Sequence, residues 1–271
     1  MDRRPLLLAT AVALLSCGLL AVAVYAGWLG PDQGRGDSFC EVSGGLMRQP
    51  VNALSNLGFV LAGLLIARRA GIPALTIQAH PGLAVVYSVV VVLLGPASAA
   101  MHATQSALGG HLDMLSMYLV ASFAASYALM RLARGGVGTF AGSFAAMLAG
   151  CLLAEQASAA VPVVDTVGNL TFAALLTFAV VGEVVLWRRR ETSIAMAWGV
   201  LAVGSLVLAF AIWNLSRTGR PWCDPTSLLQ GHGAWHLLCA LAAYALFRLW
   251  ASERARTPLD GTPDSRLATS R

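Results

Sequence analysis

The chain consists of long apolar stretches that alternate with short polar segments rich in arginine and glycine. A helix needs about 20 mostly apolar residues to cross the hydrocarbon core of a bilayer. Eight stretches approach or reach that length: 6–29, 51–67, 82–103, 111–132, 138–157, 166–187, 193–214 and 228–250. The pattern therefore predicts an all-α fold, a polytopic membrane helical bundle with short connections and no soluble domain.

The two ends of the chain differ from this apolar middle. The basic start and the apolar run up to Cys17 resemble a cleaved signal or lipoprotein peptide. The apolar run continues to Trp28, however, and this length favours an uncleaved signal anchor. The last residues contain proline, glycine and charges without apolar periodicity, which predicts disorder. We therefore expect three parts: a transmembrane helix (1–29), a helical domain (30–250) and a disordered cytoplasmic tail (251–271).

The arginines predict the orientation of the bundle. All 18 basic residues are arginine, and cytoplasmic loops of membrane proteins carry an excess of basic residues. The two ends and one set of alternate loops hold 14 of them: Arg3, Arg4, Arg68, Arg69, Arg131, Arg134, Arg188, Arg189, Arg190, Arg248, Arg254, Arg256, Arg266 and Arg271. The other loops hold four: Arg35, Arg48, Arg217 and Arg220. We therefore expect both termini in the cytoplasm.

Composition narrows the functional class. Hydrophobic residues make up 57% of the chain and charged residues 11%, whereas a soluble domain carries about 25% charged residues. The formal net charge of +5 would fit a nucleic-acid partner, but the arginines lie in short groups between apolar spans. We expect an integral membrane protein with no nucleic-acid partner and no implied protein partner. The lack of lysine and the abundance of alanine, glycine and leucine indicate a bacterial inner membrane.

Ionisable residues gather at the outer ends of three predicted spans. His102 ends the third span, Asp113 opens the fourth, and His232 and His236 open the eighth. Such residues are costly inside a membrane and usually face the interior of a bundle or a wet cavity. The predicted topology brings all four to one depth, near the outer, periplasmic face.

Histidines at this spacing suit a catalytic zinc site. His232 and His236 are one helical turn apart on one face, and three neutral imidazoles with one water form an open tetrahedral site. Asp113 would act as general base or orient a ligand, and Ser98 would donate a hydrogen bond to the developing oxyanion. The alternatives are plain hydrogen bonds from the histidine pair to neighbouring helices, and from Ser98 to its own helix.

Two cysteines fall in loops that the arginine distribution places outside the cytoplasm. Cys40 precedes the second span and Cys223 precedes the last. That side of a membrane is oxidising, so a disulfide between them is allowed. The sequence alone does not give their separation.

The order and spacing of these polar residues resemble those of a known family. Five residues at the ends of three spans form its motif: Ser98, His102, Asp113, His232 and His236. The combination resembles the alkaline ceramidases, part of a superfamily of seven-helix membrane hydrolases that includes adiponectin-receptor relatives. Residues of the outer loops and the second span resemble the family as well: Cys40, Glu41, Asn52, Ser55, Asn56 and Cys223. The resemblance covers about residues 38–250.

The resemblance implies a fold, an activity and a set of site residues. It implies a seven-helix core from spans two to eight, with the first span as an extra N-terminal transmembrane helix. It also implies hydrolysis of the amide of ceramides to a sphingoid base and a fatty acid. His102, His232 and His236 would bind zinc, and Asp113 and Ser98 would be catalytic. Many bacteria make no sphingolipids, and another N-acyl lipid would suit the same site.

The family also pairs its two outer cysteines and, in its animal members, binds calcium. The first property favours a Cys40–Cys223 disulfide. For calcium, Glu41 is the one matched carboxylate, and Gln49 stands where a stronger oxygen ligand is expected. Calcium takes six to eight oxygens, often carboxylates, so this sequence argues against a tight calcium site.

Two other functions remain open at this stage. A receptor-like or lipid-sensing protein of the same superfamily would hold a structural zinc and release no product. A transporter would use the same groups as a proton relay, but transporters often have internal repeats and broken helices near the midplane. No convincing repeat is visible here, and the ionisable cluster lies toward one face.

Overall fold

Eight helices of the part of the chain that the structure describes are long and apolar enough to cross a membrane. The structure, a computed structural model, describes residues 2–157, 159–189 and 192–255. Residues 256–271, most of the predicted disordered tail, lie outside the described residues, as do Arg190 and three further arginines used for the orientation. The all-α, polytopic prediction is confirmed, whereas the division into three parts stays a prediction.

Hydropathy alone placed the spans to within a few residues. The helices are α1 (Arg4–Tyr25), α2 (Pro50–Ser55), α3 (Leu57–Ala70), α4 (Pro81–Thr104), α5 (Ala107–Leu132), α6 (Val137–Ala154), α7 (Val167–Arg189), α8 (Met196–Leu215) and α9 (Gly231–Ala251). Two antiparallel pairs of two-residue strands lie outside them, β1 (Ala160–Val161) with β2 (Asp165–Thr166) and β3 (Thr192–Ser193) with β4 (Arg254–Ala255). The predicted second span is divided at Asn56 into α2 and α3.

Prolines and a sharp corner define the helix starts nearest the site. Proline opens α2 and α4, where its missing N–H is not needed and its φ suits the first turn. Between α4 and α5, Gln105 has a left-handed φ of 51°. The Ser106 side chain then accepts a hydrogen bond from the Gly109 N–H at 3.0 Å and caps α5. This corner fixes the last turn of α4 beside the first turns of α5.

Small residues let the central helices approach closely. A Cβ at Gly63 of α3 would lie 2.8 Å from the Ser88 carbonyl oxygen of α4, and one at Gly95 would lie 3.0 Å from the Asn56 carbonyl oxygen. Glycine at helix interfaces is typical of membrane bundles, where close packing drives association. As a result α4 packs at the centre, against α3, α5 and α9, while α1 packs outside on α3 and α4.

The end of the bundle away from the histidines is held by aromatic packing and an ion-pair network. Tyr87, Phe123 and Trp250 form a buried aromatic cluster from α4, α5 and α9. Beside it the Arg131 guanidinium of α5 pairs with the Glu183 carboxylate of α7. The Trp250 indole N–H also donates to Glu183, at 2.8 Å. This network ties α5, α7 and α9 together, so the site lies at the other end of a well-anchored bundle.

Candidate metal centre

Three buried histidines from two helices converge at the end of the bundle opposite the ion-pair network. His102 comes from the last turn of α4, and His232 and His236 come from the first two turns of α9. One ring nitrogen of each lies within 4.8 Å of the others. Their exposed fractions are 0%, 6% and 3%. Among the His, Cys, Asp and Glu side chains of the described residues, these three histidines form the group that could hold a metal ion.

The backbone around α9 explains why its histidines reach α4. The spacing of four places both imidazoles on one face. Gly231, the first residue of α9, lies so close to Ser216 that any side chain there would overlap it. This glycine therefore lets the start of α9 close onto the end of α8. The Gln230 side chain donates to the Asp224 carbonyl oxygen at 3.0 Å and to the Ser227 carbonyl oxygen at 2.8 Å, which fixes the preceding loop.

Gln49 determines which nitrogen of His102 is free to bind a metal. The Gln49 amide NH2 donates to the carbonyl oxygen of Gly36 at 2.8 Å, and carbonyls only accept. Its amide oxygen therefore faces His102 Nδ1, 2.9 Å away. This oxygen can only accept, so Nδ1 carries the proton and the lone pair is on Nε2. The Gln49 backbone N–H also donates to the His102 carbonyl oxygen, at 3.0 Å.

Ser55 likewise determines which nitrogen of His236 is free to bind a metal. The Ser55 hydroxyl donates to the Asn52 carbonyl oxygen at 2.7 Å. The same hydroxyl oxygen lies 2.7 Å from His236 Nδ1 and, having used its proton, accepts from that nitrogen. His236 therefore also has its lone pair on Nε2. Partners of this kind fix the tautomer and ring orientation of metal-binding histidines.

His232 completes the group. Its ring stacks on Phe39, with centroids 3.9 Å apart, and its Nδ1 has no partner among the described residues. Its Nε2 lies 3.1 Å from His102 Nε2. Because a lone pair on His102 faces this contact, a proton or a cation must stand between the two nitrogens. Two nitrogens bound to one tetrahedral zinc at about 2.0–2.1 Å stand about 3.3 Å apart, so the spacing fits a shared metal ion.

The two predicted catalytic residues come from α4 and α5, at the end of the bundle that holds the cluster. Ser98 is one turn before His102 on α4 and is buried. Asp113 comes from α5 and is half-buried, and the Ser98 hydroxyl lies near its carboxylate. Asp113 is not one of the groups within 4.8 Å of the others. The carboxylate is therefore not arranged as a fourth protein ligand.

The disulfide predicted between the outer loops is confirmed. Cys40 and Cys223 are bonded, with Cα atoms 5.6 Å apart. The Cys40 N–H donates to the Thr218 hydroxyl at 3.1 Å, and that hydroxyl donates to the Asp37 carbonyl oxygen at 2.7 Å. The bond therefore ties the loop that carries Phe39 to the segment before α9.

Glu41 has a structural role that needs no ion. One carboxylate oxygen accepts from the Val51 N–H at 2.7 Å and the other from the Asn52 N–H at 2.8 Å. These N–H groups belong to the first turn of α2 and have no partner within the helix. A calcium role for Glu41 stays a prediction.

We expect loss of the disulfide to weaken the whole outer end of the bundle. Cys40→Ser should lower the free energy of unfolding by about 2–5 kcal/mol, since the disulfide also holds Glu41 and hence the start of α2 in position. Thermal unfolding of the detergent-purified protein measures the effect. Cys17→Ser, at a free and half-buried thiol of α1, is the control, and equal midpoints for the two variants would contradict a structural role of the bond.

Sequence reasoning missed the contributions of two residues in this centre. It treated Gln49 as a weakened calcium position and gave Ser55 no role in holding a ligand. A polar side chain at the start of an apolar span was the available signal in both cases. The signal does not tell which distant histidine each one contacts.

Comparison with known proteins agrees with the architecture and the histidine cluster. The family model described as Ceramidase matches residues 46–262. This range begins just before α2 and includes the three histidines, Ser98 and Asp113. The search of the curated proteins found no match. Because the family model covers well over half of the chain, this protein belongs to the ceramidase family.

Proposed function

We propose that this protein is a zinc-dependent membrane hydrolase that cleaves the amide bond of ceramide or a similar N-acyl lipid. The reaction adds one water: its oxygen joins the acyl carbon, the C–N bond breaks, and a fatty acid and an amine leave. Membership of the ceramidase family supports the lipid substrate and the amide hydrolysis.

The observation that carries the proposal is the pair of fixed histidine tautomers. Gln49 and Ser55 each accept a hydrogen bond from the Nδ1–H of a candidate ligand histidine, and this leaves the two Nε2 lone pairs free to bind one metal ion. A set of three imidazoles suits zinc. When bound there, zinc supplies a Lewis acid and lowers the pKa of a coordinated water.

The remaining roles fall to Asp113 and Ser98. We assign Asp113 as the group that takes a proton from the attacking water and passes it to the leaving amine. Ser98 lies near this carboxylate. Its position one turn from His102 also allows it to donate toward the oxygen of the amide carbonyl as negative charge develops there.

The orientation of the site follows from the arginines. Both termini would lie in the cytoplasm and the histidine cluster near the periplasmic face of a bacterial inner membrane. The disulfide beside the cluster supports this side, since disulfides persist in oxidising compartments.

The first experiment is metal content together with product release. Elemental mass spectrometry of the detergent-purified protein should find about one zinc per chain, as expected for a catalytic site with three histidine ligands. Fluorescent N-acyl lipids should then release a fatty acid. Zinc without any product would favour the receptor-like function with a structural zinc. Absence of zinc from the freshly purified, folded protein would contradict both.

Removing the partner of His102 should weaken metal binding without abolishing it. Gln49→Leu leaves the Nδ1 proton unpaired and frees the ring to turn, so the zinc affinity should fall about 10- to 100-fold. Competition with a metal-binding dye measures the change. Gln78→Leu, at an exposed amide near the opposite end of α4, is the matched control. An unchanged affinity in Gln49→Leu would show that the tautomer is fixed in some other way.

A further inference from the structure

A cavity lies outside the seven-helix core, between α1, the α2–α3 span and α4. Its volume is about 310 Å³. Leu20 and Val24 of α1 form one wall, and the small residues Gly95, Ala99 and Ala103 of α4 make room for it. We call it the α1 groove. The α1 helix is the extra N-terminal span, so this groove is formed only because that helix is present.

The surroundings of the α1 groove decide what kind of molecule can enter it. Its three walls are membrane-spanning helices. Leu54 and Leu57, on its α2–α3 edge, are 56% and 54% exposed, and Leu46 at its outer end is 69% exposed. The groove therefore opens toward the hydrocarbon of the bilayer. Its volume is near the lower end of small-ligand pockets, about 300–1,000 Å³, which suits an alkyl chain.

The lining of the α1 groove includes one buried amide side chain among its apolar residues. Asn56 lines it and is only 1% exposed. Its amide NH2 donates to the Asn52 carbonyl oxygen at 2.9 Å, but its Oδ1 has no partner among the described residues. A buried acceptor without a donor is costly. A lipid that carries an N–H or O–H group beside its alkyl chain would supply that donor.

The α1 groove and the metal centre share their walls. On the α2–α3 span, Asn56 follows Ser55, which accepts from the His236 ring. On α4, Ala103 of the groove follows His102 directly. The carbonyl oxygen of Asn52 accepts from both Ser55 and Asn56. Asn52 is completely buried, and its Nδ2 and Oδ1 both have no partner among the described residues. The unsatisfied amides of Asn52 and Asn56 therefore belong to the same segment as Ser55, the hydrogen-bond partner of His236.

We propose that the α1 groove is a lateral docking site for the N-acyl lipid substrate. The alkyl chain lies between α1 and α4, and the amide N–H or a neighbouring hydroxyl donates to Asn56 Oδ1 before the amide moves past Asn52 to the metal centre. The identity of the lipid rests on the proposed function. The existence of a site for a donor-bearing lipid rests on the groove and on Asn56.

Photo-crosslinking of the wild-type full chain tests whether a lipid occupies the α1 groove. The probe is an N-acyl lipid with a diazirine in its alkyl chain, added to the protein in phosphatidylcholine vesicles. A lipid of equal length with an ester in place of the amide and no hydroxyl is the comparison. We expect amide-lipid labels on peptides from α1 and the last turns of α4, several times stronger than ester-lipid labels. Labels confined to the interior of the seven-helix core would overturn the proposal.

Two variants test the groove and its amide separately. Ala21→Trp fills the groove from α1 and should remove most of the labelling. Leu19→Trp, on an exposed face of the same helix, should not. Asn56→Leu keeps the alkyl contacts but removes the acceptor, so the preference for amide over ester lipid should fall about fivefold, toward none. An unchanged preference would rule out Asn56 as the recognition group.

The outcomes separate this proposal from the proposed function. Zinc content and fatty-acid release are measured on the same preparations. Labelled α1 without hydrolysis by the wild type would support the groove and contradict the enzyme. Hydrolysis that is unaffected by Ala21→Trp, with no label on α1, would support the enzyme and overturn the groove.

Discussion

Replacing His236 by alanine is expected to abolish both zinc binding and lipid hydrolysis while the protein still inserts and folds. His236 would supply one of three ligands, and its ring nitrogen Nδ1 is already committed to Ser55. Two remaining imidazoles do not make a tight site. Loss of the metal removes several kcal/mol of transition-state stabilisation, so the rate should fall by about three orders of magnitude or more.

The control for this prediction is another histidine at the same end of the bundle. His111 of α5 is exposed and bonds to the Glu155 carboxylate at 3.0 Å, apart from the cluster. His111→Ala should keep one zinc per chain and nearly full activity. Elemental mass spectrometry and fatty-acid release are compared for the two variants. Undiminished hydrolysis by His236→Ala after loss of its zinc would remove the metal from the mechanism.

Replacing Asp113 by asparagine should separate catalysis from metal binding. The change keeps the shape of the side chain but removes its ability to take a proton. Asp113 lies near Ser98 and is not one of the groups arranged to hold a metal ion, so the zinc content should stay at that of the wild type. The loss of general acid–base catalysis predicts a fall in kcat of about 10²- to 10⁴-fold with little change in KM.

Asp165→Asn is the matched control for Asp113→Asn. Asp165 lies in β2 and pairs with Arg217 at 2.8 Å. It has no contact with the cluster and should leave kcat unchanged. A loss of zinc in Asp113→Asn would instead indicate that this carboxylate orients a ligand. Ser98→Ala should also slow the reaction, and its effect should not add to that of Asp113→Asn if the two act as one unit.

Much of the fold could be read from the sequence because a bilayer imposes a simple rule. Every backbone polar group in hydrocarbon must be satisfied within its own segment, which leaves helices of a set length. Helices α4 and α9, which end at Thr104 and Ala251, could therefore be placed by hydropathy alone. The limits shift by a few residues, as at α5, which begins at Ala107 and not at residue 111. The first turn of α5 contains Gly109 and Gly110, and because glycines are typical of turns and loops the sequence pattern does not mark it as part of the helix.

The sequence also determined which residues could meet. Helical spacing places His232 and His236 on one face whatever surrounds them. Alternation of spans brings His102 to the same end of the bundle. These relations depend on helix geometry and on counting crossings, and both are local properties of the chain.

Only the tertiary structure decided how these residues are held and what lies beside them. Gln49 is 53 residues from His102, and Ser55 is 181 residues from His236. Which pairs form depends on the rotation and close approach of packed helices, and glycines such as Gly95 set that approach. The α1 groove arises likewise from how α1 rests on its neighbours. Hydropathy identifies α1 and its neighbours only as apolar spans, because a side chain that faces lipid and one that lines a groove have the same chemistry.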